Sequence, residues 1–137
     1  MADCVFCSPI DHALYDDGRV AVVSHEDRAV RGHAMVVARR HVENASDLPT
    51  QEWLHFARVQ HAAEHALLEA TGAERAVLLK LGIQTPHLHV HIYPVRASLT
   101  RAEVQEIIDG RVREDVEYGF DEGVRVRIAG LMDQRQI

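Results

Sequence analysis

Apolar and polar residues alternate with a period of two in several short runs of this chain and with a helical period in one long run, the pattern of a domain that mixes strands and helices. The clearest short run is His87-Leu88-His89-Val90-His91-Ile92. In an extended backbone Leu88, Val90 and Ile92 share a face that can enter a core, the three imidazoles share the other, and Pro94 ends the ladder. Val20 to Val23 follows the turn-forming Asp16-Asp17-Gly18, so Ala13-Leu14-Tyr15 should pair with it as a hairpin. After Gly32 the run His33 to Ala38 alternates again, with His33, Met35 and Val37 on one face and Ala34, Val36 and Ala38 on the other. Arg75 to Leu81 leads through Gly82 and the loop Gln84-Thr85-Pro86 into the histidine run, which predicts an antiparallel pair.

The long run predicts a helix from about Pro49, after a candidate cap at Asp47, to about Thr71, with Gly72 as its stop. Its apolar stripe is Phe56, Val59, Ala63, Ala66, Leu67 and Ala70. Thr100-Arg101-Ala102-Glu103 has the spacing of a capping box and opens a shorter helix that Gly110 should close. Beyond Arg111 the chain is first acidic, and Val124 to Leu131 reads as one more strand or an interface arm. With 137 residues and no repeat or linker, the chain is expected to form one domain, residues 1–137, that buries roughly two-thirds of its unfolded surface.

Charge narrows the partners. A formal net charge of -6 excludes the clustered positive field that general nucleic-acid or anionic-membrane binding requires, so any phosphate recognition must be local. No run of eighteen apolar residues is present, and Met1-Ala2-Asp3-Cys4 lacks the regions of a signal peptide; a cytoplasmic location and no membrane partner are expected. The two cysteines stand as Cys4-Val5-Phe6-Cys7, a spacing that in a reducing compartment points to metal binding or redox chemistry more than to a structural disulfide.

The histidine row is the main chemical signal. Exposed sheet faces are ordinarily built from Thr, Lys and Glu. Three adjacent imidazoles, each titrating near pH 6.5 in model compounds, suit nucleophilic attack, proton transfer or metal ligation. A second pattern, His61-Ala62-Ala63-Glu64-His65, fits the HxxEH arrangement of inverted zinc peptidases. On a helical wheel, however, His61 and His65 lie opposite Phe56, Ala63 and Leu67, facing outward, and a solvated or interface face is the better reading.

Residues 85–94, Thr-Pro-His-Leu-His-Val-His-Ile-Tyr-Pro, resemble the signature of the histidine-triad superfamily, and Cys4 to Cys7, the stretch from Gly32 to Val37 and the stretch from Arg40 to Leu48 fall in the family's order. The resemblance covers residues 4–94 and leaves 95–137 as a C-terminal helix and tail. It implies an α+β fold, a five-stranded antiparallel sheet with a long helix packed on it and its helices on one side, and a homodimer. It also implies a hydrolase for a small-molecule nucleotide substrate, which cleaves a nucleoside 5′-monophosphate from a phosphorus-linked leaving group. His89 would attack the α-phosphorus to give a nucleotidyl-histidine, His91 would guide a proton to the leaving group, and His33 would support the charge around the phosphate. Gln84 and Thr85 match a loop that touches phosphate and leaving group, although Ile83 stands where many relatives have Asn. His25 or Asp27 falls where relatives hold the ribose hydroxyls. By resemblance to the zinc-bearing members and to galactose-1-phosphate uridylyltransferases, Cys4, Cys7, His41 and His87 would hold a structural zinc. Those uridylyltransferases carry Gln at the third triad position, and His91 here favours hydrolysis over transfer. The rival expectation is a nucleotide-binding or sensing module with little turnover.

Overall fold

The computed structural model describes residues 4–10, 13–25, 29–112 and 120–134. Five strands, β1 (Tyr15–Asp16), β2 (Val20–Ser24), β3 (Ala34–Ala38), β4 (Arg75–Leu79) and β5 (His89–Val95), form one antiparallel sheet in the order β1-β2-β3-β5-β4. Among the described residues three α-helices accompany it: α1 (Thr50–Thr71), α2 (Arg101–Ile108) and α3 (Asp121–Asp133). The chain is thus α+β, with the histidine strand β5 in the interior of the sheet.

Alternation decides which side chains meet. The register Ala34↔Ile92 and Val36↔Val90 sends Ala34, Val36, Ala38, Val20, Val22, Leu88 and Ile92 toward one face. There the α1 stripe Phe56, Val59, Ala63, Ala66 and Leu67 covers them, all essentially buried, with Ala70 at its half-buried end. The helix stops at Gly72, whose φ of 73° is the left-handed cap conformation that glycine adopts without a Cβ clash. Its first turn follows Pro49 and not Asp47. Asp47 instead closes a capping box with Asn44 on the short 3-10 helix Ala45–Asp47, accepting a bond from the Asn44 amide at 3.1 Å. Gly32 has φ 85°, and a Cβ there would lie 2.7 Å from Thr71 Cγ2 and 3.2 Å from Pro94 Cγ, so only glycine turns the chain into β3 at this point.

The C-terminal segment departs from the expectation. Val124 to Leu131 is neither strand nor arm but the centre of α3, which packs on α1 and buries Val124 and Ile128 in the main core. The run Val124-Arg125-Val126-Arg127-Ile128 alternates like a strand, yet Val124, Ile128 and Leu131 also recur at i, i+4 and i+7. Contact with α1 selects the second period and leaves Val126 64% exposed. Helix α2 also differs from a one-sided arrangement: its Ile107 packs with Tyr93, Val95, Ala29 and Val30, on the strand face opposite α1. Thr100 caps this helix as its sequence predicts, accepting from the Glu103 amide at 3.2 Å.

Ile128→Ala should cost about 2–4 kcal/mol, the range for a truncated core aliphatic, whereas Val126→Ala should stay within roughly 0.5 kcal/mol. Denaturant melts of the two variants test the helical assignment, and equal effects would contradict it.

Candidate active site and metal centre

Because β5 pairs with β3 on one side and β4 on the other, its backbone is held along both edges, and the side chains of its polar face start from fixed positions. His89 and His91 stand on that face, opposite Val37 and Met35 of β3. His33 enters from the turn before β3, its amide donating to the Val30 carbonyl at 3.0 Å, and its ring stacks on Tyr93 at 4.1 Å. His89 and His91 border a groove of about 830 Å3 whose lining also includes His25, Gln84 and Thr85. Phe6, Val5, Met35 and Ile83 supply an apolar wall.

Backbone carbonyls assign the protons. A carbonyl can only accept, so His89 Nδ1–H donates to the His87 carbonyl at 2.6 Å, and Nε2, at the far end of the ring, keeps its lone pair. His87 is oriented the opposite way: its Nε2–H donates to the Ala38 carbonyl at 2.5 Å, which leaves Nδ1 as the free lone pair. Two neighbouring triad residues therefore present different nitrogens to different surroundings. The third, His91, pairs through Nδ1 with His33 Nε2 at 2.9 Å. Burial holds His91 down to about 4 and, with the His25 and His91 rings beside it, His33 down to about 3. Both are neutral at pH 7. His33 Nδ1 is buried and has no hydrogen-bond partner among the described residues.

The free Nδ1 of His87 points into a cluster with Cys4, Cys7 and His41, four residues whose ligand atoms lie within 4.8 Å of one another. His87 Nδ1 is 3.3 Å from Cys4 Sγ and 3.7 Å from Cys7 Sγ; His41 Nδ1 is 3.1 Å from Cys7 Sγ and 3.1 Å from His87 Nδ1. Tetrahedral zinc with bonds of about 2.0–2.1 Å to nitrogen and 2.3 Å to sulfur would set the corresponding edges near 3.4 and 3.6 Å. The four residues fit that ion in donor chemistry and spacing, and the Nε2–H bond to Ala38 is the outer support such a ligand ordinarily has. Burial lowers the affinity of His87 for a proton, which favours the neutral, ligating form. The hydrogen bond to Cys4, with burial and the Cys4 charge, holds the Cys7 thiol above its ordinary value, a tendency that a bound cation would reverse.

The residues singled out from sequence are placed as follows. His33, His89 and His91 come together; Cys4, Cys7, His41 and His87 form the cluster; Gln84 is exposed and Thr85 half-buried at the groove. Asp27 lies outside the described residues, while His25 lines the groove. His61 and His65 are exposed on α1 with ring centroids 6.3 Å apart, and they join no three-ligand group among the described residues. Phe6 went unnoticed in the sequence as a site residue, although its place between Cys4 and Cys7 was the available signal. Its ring lies 4.9 Å from His89 and 5.6 Å from His87, joining the Cys/His cluster to the groove.

The family model described as HIT domain matches residues 10–98. The chain belongs to the HIT family. Several solved structures share its fold at low identity. A Zn-bound histidine triad family protein from Mycobacterium smegmatis is 20% identical with a TM-score of 0.68, over 96% of this chain and 97% of that one. A hypothetical histidine triad nucleotide-binding protein from Sulfolobus tokodaii is 22% identical with a TM-score of 0.66, over 95% and 92%. A Hit-like protein involved in cell-cycle regulation from Bartonella henselae is 18% identical with a TM-score of 0.60, over 87% and 85%. For a HIT protein the role at superfamily level is nucleotide binding or hydrolysis. In this HIT protein no described helix is long and apolar enough to cross a membrane.

The depressed His33 pKa links protonation to folding. The unfolded chain takes up a proton at this residue near 6.5, the folded one only near 3. Its neutral form therefore carries no penalty above pH 6.5, and stability falls as the pH drops from there toward 3, by on the order of 4–5 kcal/mol from this group. In metal-free protein, His33→Gln should flatten the loss of Tm between pH 6.5 and 4; parallel profiles for the two proteins would refute the assignment.

Proposed function

We propose that this protein is a nucleotide hydrolase that cleaves a nucleoside 5′-monophosphate from a phosphoramidate or dinucleoside polyphosphate through a covalent nucleotidyl-His89 intermediate. The observation that carries the reading is the orientation of His89, whose Nδ1–H is spent on the His87 carbonyl so that the nucleophilic lone pair is left on Nε2. His89 also borders the groove that could seat the substrate. Nε2 attacks the α-phosphorus, a P–N bond to imidazole forms, and the P–N or P–O bond to the leaving group breaks. Water then displaces His89 and releases the monophosphate.

The leaving group needs a proton, and His91 is its proposed source. In the free site His91 is neutral at pH 7. A bound phosphate anion would raise its affinity for a proton, so the substrate itself helps to arm the acid. His33, bonded to His91 at 2.9 Å, positions that ring and accepts or donates across the pair. Gln84 and Thr85 offer amide and hydroxyl donors to phosphate oxygens at the groove mouth. The apolar wall, with Phe6 against His89, suits a flat, weakly polar group such as a base.

Cys4, Cys7, His41 and His87 hold a structural zinc in this reading. A closed Cys2His2 set supplies folding energy and no open coordination position. What the protein's own residues do there is fasten the N-terminal arm, and with it Phe6, to the start of β5.

AMP release from adenosine 5′-phosphoramidate and diadenosine polyphosphate, measured on one preparation, tests the chemistry. His89→Ala should lower turnover at least about a thousandfold, as loss of a covalent nucleophile does. Retained turnover in the mutant would remove His89 as nucleophile, and tight AMP binding without turnover by the wild type would favour the sensing module. Separately, Cys4→Ser with Cys7→Ser should abolish one equivalent of bound zinc, read by metal analysis, and lower the Tm. A wild-type protein that retains no zinc after purification in zinc-supplemented medium would contradict the cluster's assignment.

A further inference from the structure

Three histidines outside the Cys2His2 cluster also converge. His25 at the end of β2, His33 in the turn before β3 and His91 in the middle of β5 each offer a nitrogen within 4.8 Å of the others. The His25 ring stacks on His33 at 4.4 Å with 12° between planes and lies 5.3 Å from His91. His33 Nε2 and His91 Nδ1 are 2.9 Å apart. Among the described residues the group consists of imidazoles alone.

We propose that His25, His33 and His91 form a second metal site, a three-imidazole site for a borderline divalent cation such as Zn2+, beside His89. The donor set selects the class of ion: three imidazoles suit Zn2+, Co2+, Ni2+ or Cu2+, whereas Mg2+ and Ca2+ require oxygen ligands. Three protein ligands also leave at least one coordination position open, for water or a phosphate oxygen, which distinguishes this site from the closed cluster around His87. The burial that keeps His33 and His91 neutral favours the protonation state in which imidazole binds a metal.

Two adjustments accompany binding. The His33–His91 nitrogens spread from 2.9 Å toward the roughly 3.4 Å edge of a tetrahedral zinc site. The His25 ring turns out of its near-parallel stack, because an imidazole lone pair lies in the ring plane and two stacked rings cannot both aim at one ion. His25 is half-buried and lines the groove. Since the His91 ring is 5.2 Å from that of His89, a metal held here would also take His91 out of proton transfer and inhibit turnover, a consequence that rests on the hydrolase reading. The metal site itself does not depend on it.

The test is a Co2+ titration of the full chain after its cysteine cluster has been filled with one equivalent of Zn2+. Wild type should take up one further equivalent and develop visible d–d bands with no new thiolate-to-cobalt absorption in the near ultraviolet. His25→Ala should weaken this second equivalent by more than the roughly 10–100-fold that loss of an outer-shell partner costs. It should still retain the first zinc, which reports that the variant is folded. A double variant His61→Ala with His65→Ala, which removes the exposed pair on α1, should leave the second equivalent in place. Uptake that stops at one equivalent in wild type overturns the proposal. So does a second equivalent that survives His25→Ala unchanged, or one that disappears with His61 and His65.

Discussion

The pairing of β5 between β3 and β4 is the constraint on which the site depends. A strand bonded along both edges cannot rotate about its axis, so its alternation becomes a sorting device: Leu88 and Ile92 go under α1, and His89 and His91 go to the opposite face. A slip of one residue would exchange the two sets, placing imidazoles in an apolar core at a cost of several kcal/mol for each unpaired polar group. The apolar burial that stabilises the sheet is thus the same force that holds the histidines in register with Met35 and Val37.

Within that frame two carbonyl groups divide the triad. The Ala38 carbonyl takes the Nε2 proton of His87, and the His87 carbonyl takes the Nδ1 proton of His89. Two rings of the same kind, two residues apart, are left with lone pairs at opposite ends: one serves the cysteine cluster and the other is available to the groove. Phe6 connects the two environments, since it sits between Cys4 and Cys7 in sequence and against both rings in space. Arranging the N-terminal arm and orienting the candidate nucleophile are therefore one packing problem.

The electrostatics follow from crowding imidazoles together in a largely buried place. His33 and His91 are both held neutral by burial and by neighbouring rings, so the free site favours lone pairs over protons. Lone pairs of this kind suit electrophiles, which in the proposed readings are a phosphorus centre at His89 and a borderline cation at the other three rings. In a chain of net charge -6 the attraction is short-range, carried by oriented donors and lone pairs and not by a positive field.

Much of this was legible in the sequence because it depended on short-range periodicity. The hairpin after Asp16-Asp17-Gly18, the alternating strands around His33 and His89, the long helix ending at Gly72 and the Thr100 capping box are all set by neighbours within a few residues. The four residues of the Cys/His cluster were also nameable, from CxxC spacing and family resemblance. Long-range contact decided the rest. Val124 to Ile128 satisfies both a two-residue and a helical period, and only the α1 surface it packs against chose the helix. Asp47 has the chemistry of a cap for α1, but the chain leaves Asn44 in an extended conformation and turns its carboxylate to the 3-10 turn instead. The partners of His25 and Phe6 were beyond reach of any local rule. Residues 25 and 33 meet where paired β2 and β3 end, and residue 6 meets residue 89 on β5, because burial of apolar area and saturation of backbone hydrogen bonds are global sums that no local window contains.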